Sequence, residues 1–145
     1  VTGDPYDLQR FVTAQDDGGT YARALDELRR GRKTSHWMWF VFPQVAGLGQ
    51  SPTAQRFAVA SLDEARAYLQ HPVLGPRLLE CAAVVAGSGA GSAAAIFGGL
   101  DAMKLRSSMT LFSRTKPDEP VFGEVLARYF GSEGDPETDR LLGMA

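Results

Sequence analysis

Residues 35–44 read SHWMWFVFPQ and hold both tryptophans of the 145-residue chain, two phenylalanines and one of its two histidines. Residues 100–112 read LDAMKLRSSMTLF and hold an aspartate, a lysine and two adjacent serines. These are the residue types of a small-ligand site: flat rings for stacking, cations for an anion, hydroxyls for hydrogen bonds. Ser35, His36 and Trp37 stand at the start of an expected helix, where free backbone N–H groups and the dipole favour an anion. Arg32 and Lys33 add positive charge just upstream. Asp101, Lys104 and Ser108 fall on one helical stripe, beside the apolar stripe of Ala102, Leu105, Met109 and Phe112. Hydroxyl residues are unfavourable inside a helix, so Ser107 and Ser108 need either a ligand or a closely packed neighbour.

The candidate site is therefore Arg32, Ser35, His36, Trp37, Trp39, Gln44, Asp101, Lys104, Ser107 and Ser108. It suits a nucleotide or another phosphorylated small molecule, bound where the SHWMWF segment meets the DAMKLRSS helix. A hydrolytic role would fall to Asp101 or Glu80, and no catalytic residue is assigned. In size and class the chain is similar to small helical glycosidases that remove ADP-ribose from modified bases. The competing reading makes the aromatic run core and the chain a non-catalytic interaction module, monomeric or homodimeric. Gln15, on the face of Leu8, Phe11 and Val12, would carry a partly buried amide that needs a partner.

The elements that position these residues are mostly helices. Prolines follow Asp4, Ser51, His71, Glu119 and Asp135, and proline suits a first helical turn because its missing N–H would be unpaired there. Helical spacing links Leu8 to Gln15, Tyr21 to Leu28, Leu74 to Val85, Ala102 to Phe112 and Val121 to Phe130. Ser61 and Glu64 form a capping box for the stretch to Gln70, and Pro136–Leu142 makes a last short helix. The pattern predicts a mainly α fold: one compact irregular array of about eight or nine helices over residues 1–145, with little or no sheet. Trp37–Phe42 is apolar throughout, so periodicity does not separate a buried helix from a buried strand. Ser35 as cap and Pro43 as stop favour a helix of two turns. PQVAGLGQSP at 43–52 and GSGAGS at 87–92 read as loops.

Composition narrows the function classes. A net charge of −2, with RRGRK at 29–33 as the one basic cluster, excludes an electrostatic nucleic-acid binder. Cys81 is the single cysteine, so no internal disulfide forms, and a buried apolar role suits it better than a nucleophilic one. It fits a reducing cytoplasm. The opening VTGDPYD lacks the features of a signal peptide, and no apolar run is long enough to span a membrane. His36 and His71 have no metal-ligand spacing, and no phosphate loop or nucleophile elbow is present, so neither metal nor cofactor is expected.

SHWMWFVFPQ followed by GLGQS, then HPVLGPRLLE, then IFGGLDAMKLRSSMTLF, resembles a bacterial domain-of-unknown-function family whose members are often labelled calpastatin. DPYDLQRFVTAQ fits as well, so the resemblance covers nearly the whole chain. It implies a mainly helical fold and no established activity. Nothing here resembles the disordered repeats of a protease inhibitor.

Overall fold

The structure, a computed structural model, describes residues 4–144. The expectation about a leader rests partly on Val1, Thr2 and Gly3, which lie outside the described residues. Nine α-helices occur among the described residues: α1 (Gln9–Asp16), α2 (Thr20–Arg29), α3 (Met38–Val41), α4 (Pro52–Arg56), α5 (Leu62–Gln70), α6 (Leu74–Ala86), α7 (Ala93–Thr115), α8 (Pro120–Phe130) and α9 (Pro136–Leu141). No strand pairs into a sheet among them. An isolated parallel bridge joins Val45 to Val59 and ties the loop after α3 to the chain before α5. None of these helices is long and apolar enough to cross a membrane.

The caps follow the residue types. Pro52, Pro120 and Pro136 occupy first turns, and Ser51, Ser61, Ser92 and Asp135 accept hydrogen bonds from backbone N–H groups of α4, α5, α7 and α9. Glu64 completes its box one residue early, accepting from the Ala60 N–H at 3.0 Å. Two prolines stand further from their helices than expected. Asp4 reaches past Pro5 to accept from the N–H groups of Leu8 and Gln9 at 2.7 and 2.8 Å. His71 Nδ1 accepts from Val73 and Leu74 across Pro72.

Helix α7 is the axis of the array, packing against α5, α8 and α9, while α6 packs on α8, α5 and α2. The α5–α6 corner closes because Gly75 lacks a side chain: a Cβ there would stand 2.1 Å from the Leu69 carbonyl oxygen. Phe11, Tyr68, Phe112 and Phe122 form a chain of ring contacts through the core, with centroids 5.1–5.8 Å apart. Each such buried ring stabilises the fold by roughly 1.5–3 kcal/mol. Trp37, Phe42 and Phe97 make a second aromatic cluster, with centroids 6.0–6.4 Å apart.

Two local features differ from the expected ones. The aromatic run forms a single helical turn, Met38–Val41, and not two. Ser35 does not cap it: the Ser35 hydroxyl donates to Glu27 at 2.6 Å. Trp37 takes the cap position with extended φ, and tertiary packing of its ring overrides any local capping signal. The second feature is the break of α7 at Gly98, whose φ of +78° and ψ of 162° suit glycine alone. It restarts the helix just before Leu100 and places Asp101 in the first turn after the break.

Candidate functional site

The buried side of the site is built on Glu27 of α2, whose carboxylate collects four donors. Oε1 accepts from the Thr34 N–H at 2.8 Å, the Ser35 N–H at 3.1 Å and Trp37 Nε1 at 2.9 Å. Oε2 accepts from the Ser35 hydroxyl. Burial alone would raise the Glu27 pKa, but the hydrogen bonds from Ser35, Thr34 and Trp37 outweigh it and hold it at about 2. Glu27 thereby fixes the 34–37 turn and seats the Trp37 indole, which is fully buried.

Asp101 of α7 links this turn to the surface. Lys33 Nζ lies 3.0 Å from Asp101 Oδ2, donates to the Ser35 carbonyl at 2.6 Å and stands 5.0 Å over the Trp37 ring. Lys104 Nζ lies 3.4 Å from Asp101 Oδ1 and 4.9 Å over the Trp39 ring. Both ammonium groups are within cation–π range. The Lys33 side chain is 8% exposed and that of Lys104 22%, so the second reaches solvent.

Lys104 opens onto a groove of about 340 Å³ between the 43–52 loop, α7 and the start of α9. Gln44, Leu48 and Gly49 line one wall; Leu100, Met103, Lys104 and Ser107 line the helix side; Asp135 and Glu137 close one end. Ser107 donates to Asp135 Oδ2 at 3.1 Å, and Thr110 accepts from the Asp135 N–H at 2.8 Å. Arg114 grips Asp139 with two hydrogen bonds of 2.8 and 3.0 Å. These contacts dock α9 on α7 and fix the acidic end of the groove. A larger hollow of about 520 Å³ lies between α1 and α4, where Gln9 bonds Thr13, Asp16 pairs with Arg77 and Arg56 lies over Phe57.

The family model described as a protein of unknown function, DUF1810, matches residues 5–142. The chain belongs to the DUF1810 family. The crystal structure of the conserved hypothetical protein Rv1873 from Mycobacterium tuberculosis is similar to this member throughout. The two are 51% identical and superpose with a TM-score of 0.93, over 98% of this chain and 100% of that one. No curated protein matches the chain. The Rv1873 structure shares the fold of this chain, and the family description names no activity.

In this DUF1810 member the predicted residues divide into three groups. Gln44, Lys104 and Ser107 line the groove, with Trp39 and Asp101 directly behind Lys104. Ser35, Trp37 and Ser108 do not reach it. The Ser35 hydroxyl and the Trp37 indole serve Glu27, and Ser108 is fully buried with a hydroxyl that has no hydrogen-bond partner among the described residues. Arg32 and His36 are exposed and do not line the groove.

Of the two carboxylates considered for acid–base work, Asp101 has one lysine on each oxygen. Glu80 accepts from the Tyr21 hydroxyl at 2.7 Å and faces Arg29 at 3.6 Å, outside the groove. Cys81 is fully buried, and burial pushes its thiol up to about 12, which removes it as a nucleophile at neutral pH. Gln15 is satisfied within the protein by the Phe40 carbonyl, the Tyr68 hydroxyl and Arg77.

Glu27, the near-complete burial of the Lys33 side chain and the groove position of Asp135 are not marked by any motif. Glu27 had one visible signal: it stands three residues after Ala24, at the edge of the apolar stripe of α2, where a carboxylate must find partners. Asp135 showed itself only as a helix cap.

Proposed function

We propose that the chain is a single helical domain that binds a small anionic ligand in the groove between the 43–52 loop and α7, with Lys104 as its anchor. A nucleotide-like or other phosphorylated molecule is the class tested first. One observation carries the reading: Lys104 is the cation that both lines the groove and reaches solvent, held by Asp101 and the Trp39 ring. A pre-set ammonium beside an apolar wall is the usual design of a small-molecule site. The reading is one of binding. Of the two carboxylates weighed for proton transfer, Asp101 holds two lysines and Glu80 lies outside the groove.

The test is a thermal-shift titration with AMP and glucose 6-phosphate. A ligand at about a hundred times its Kd adds roughly 2.7 kcal/mol and raises Tm by a few degrees. Lys104→Ala should remove the shift while the protein stays folded. No shift with any anionic ligand, phosphate or carboxylate, or a shift that survives Lys104→Ala, would sink the reading.

A second reading has its own observation. Leu100 is 75% exposed and Met103 55%, side by side on the groove rim. An exposed apolar pair of this kind suits a partner surface, a second copy included. Sedimentation showing a dimer that Leu100→Lys dissolves would favour it.

A further inference from the structure

The groove has a second pole that a purely anionic ligand would not use. Along α7 its character changes within two turns. Leu100 and Met103, with Leu48 on the same groove, are apolar; Lys104 follows; Ser107 stands one turn further. Ser107 is joined to Asp135 at 3.1 Å, while Glu137 at the same end is already held by Arg140 through both carboxylate oxygens. Residues three apart on a helix have Cβ atoms about 5–6 Å apart. A cation and an acidic pole are therefore one turn apart beside an apolar wall. All hydrogen bonds to the Asp135 carboxylate among the described residues fall on Oδ2, from Ser107 and Thr138, which leaves Oδ1 as an acceptor.

We propose that the ligand of this groove is a free amino acid with an apolar side chain. Its carboxylate pairs with Lys104, its ammonium with Asp135 Oδ1, and its side chain lies on Leu48, Leu100 and Met103. The inference rests on the reading of Lys104 as an anion anchor and names the rest of the ligand. Charge decides the class. A phosphate on Lys104 would face the open Asp135 oxygen of like sign, whereas a zwitterion satisfies both poles. Size agrees: about 340 Å³ lies near the lower end of the range for ligand pockets, and fits an amino acid better than a dinucleotide.

The experiment is calorimetry of the whole chain against L-leucine, 4-methylpentanoate (no ammonium), isoamylamine (no carboxylate) and AMP. Leucine should bind, and each analogue should bind at least about tenfold more weakly, the effect of one lost charge-assisted hydrogen bond. Asp135→Asn keeps a helix-capping side chain. This variant should weaken leucine by a similar factor and leave any AMP binding no weaker. If 4-methylpentanoate or AMP binds as tightly as leucine and depends on Lys104, the amino-acid inference falls and the anion-anchor reading stands. If no probe binds, or leucine binds Lys104→Ala unchanged, both fall.

Discussion

Two lysine–tryptophan pairs share one aspartate in this protein, and they differ in depth. Lys33 over Trp37 is sealed beneath the 34–37 turn; Lys104 over Trp39 faces the groove. The ring distances are nearly equal, 5.0 and 4.9 Å. What separates the pairs is the supply of fixed partners. Lys33 has the Ser35 carbonyl and Asp101 Oδ2, and Trp37 has Glu27, so that pair is satisfied without a ligand. Lys104 has one carboxylate oxygen at 3.4 Å and open solvent. Similar chemistry is structural where it is enclosed and available for binding where it is not.

The largest expected effect breaks the enclosed pair at its root. Glu27→Ala leaves the Trp37 indole, the Ser35 hydroxyl and two backbone N–H groups without their acceptor, and should cost roughly 3–5 kcal/mol in urea denaturation. A loss below about 1 kcal/mol would mean that the turn re-forms around water.

The same residue sets an acid limb. Its pKa is lowered in the folded state, from an ordinary 4.5 to about 2. Its contribution is therefore present above about 4.5 and lost as pH falls toward about 2. Stability of the wild type against pH should fall through that window more steeply than that of Glu27→Gln, which cannot titrate there. Equal slopes would remove Glu27 from the account.

The smallest expected effect concerns Ser108. Its buried hydroxyl lacks a partner among the described residues, so Ser108→Ala should be neutral or stabilise by up to about 1 kcal/mol, with ligand binding unchanged. A marked loss of binding would return Ser108 to the site.

Helix positions were legible because proline, cap residues and apolar spacing are local signals. Ser61 with Glu64, and Pro120 and Pro136, mark helix starts in sequence and structure alike. The short length of α3 was not legible: every residue from Trp37 to Phe42 is apolar, so no period is written into it. Of the ten residues singled out by type, Gln44, Lys104 and Ser107 line the groove, and Trp39 and Asp101 stand against Lys104. The partition between enclosed and open was not legible, because it depends on distant pairings. Glu27 meets Trp37 through a turn, Lys33 meets Asp101 across 68 positions of chain, and Asp135 meets Ser107 and Thr110 only when α9 docks. Two hydroxyls of the SSMT run, Ser107 and Thr110, hold that docked end.

The most direct test uses the methionine methyls as reporters on both sides of the comparison. Met103 lines the groove, whereas Met38 and Met109 lie in the core. With methyl-labelled methionine, NMR titration of the wild type with AMP and then with L-leucine should move the Met103 resonance in a saturable way. The Met38 and Met109 signals should stay in place, and Lys104→Ala should abolish the Met103 shift. A Met103 signal that stays fixed with both ligands would contradict a binding groove at Lys104.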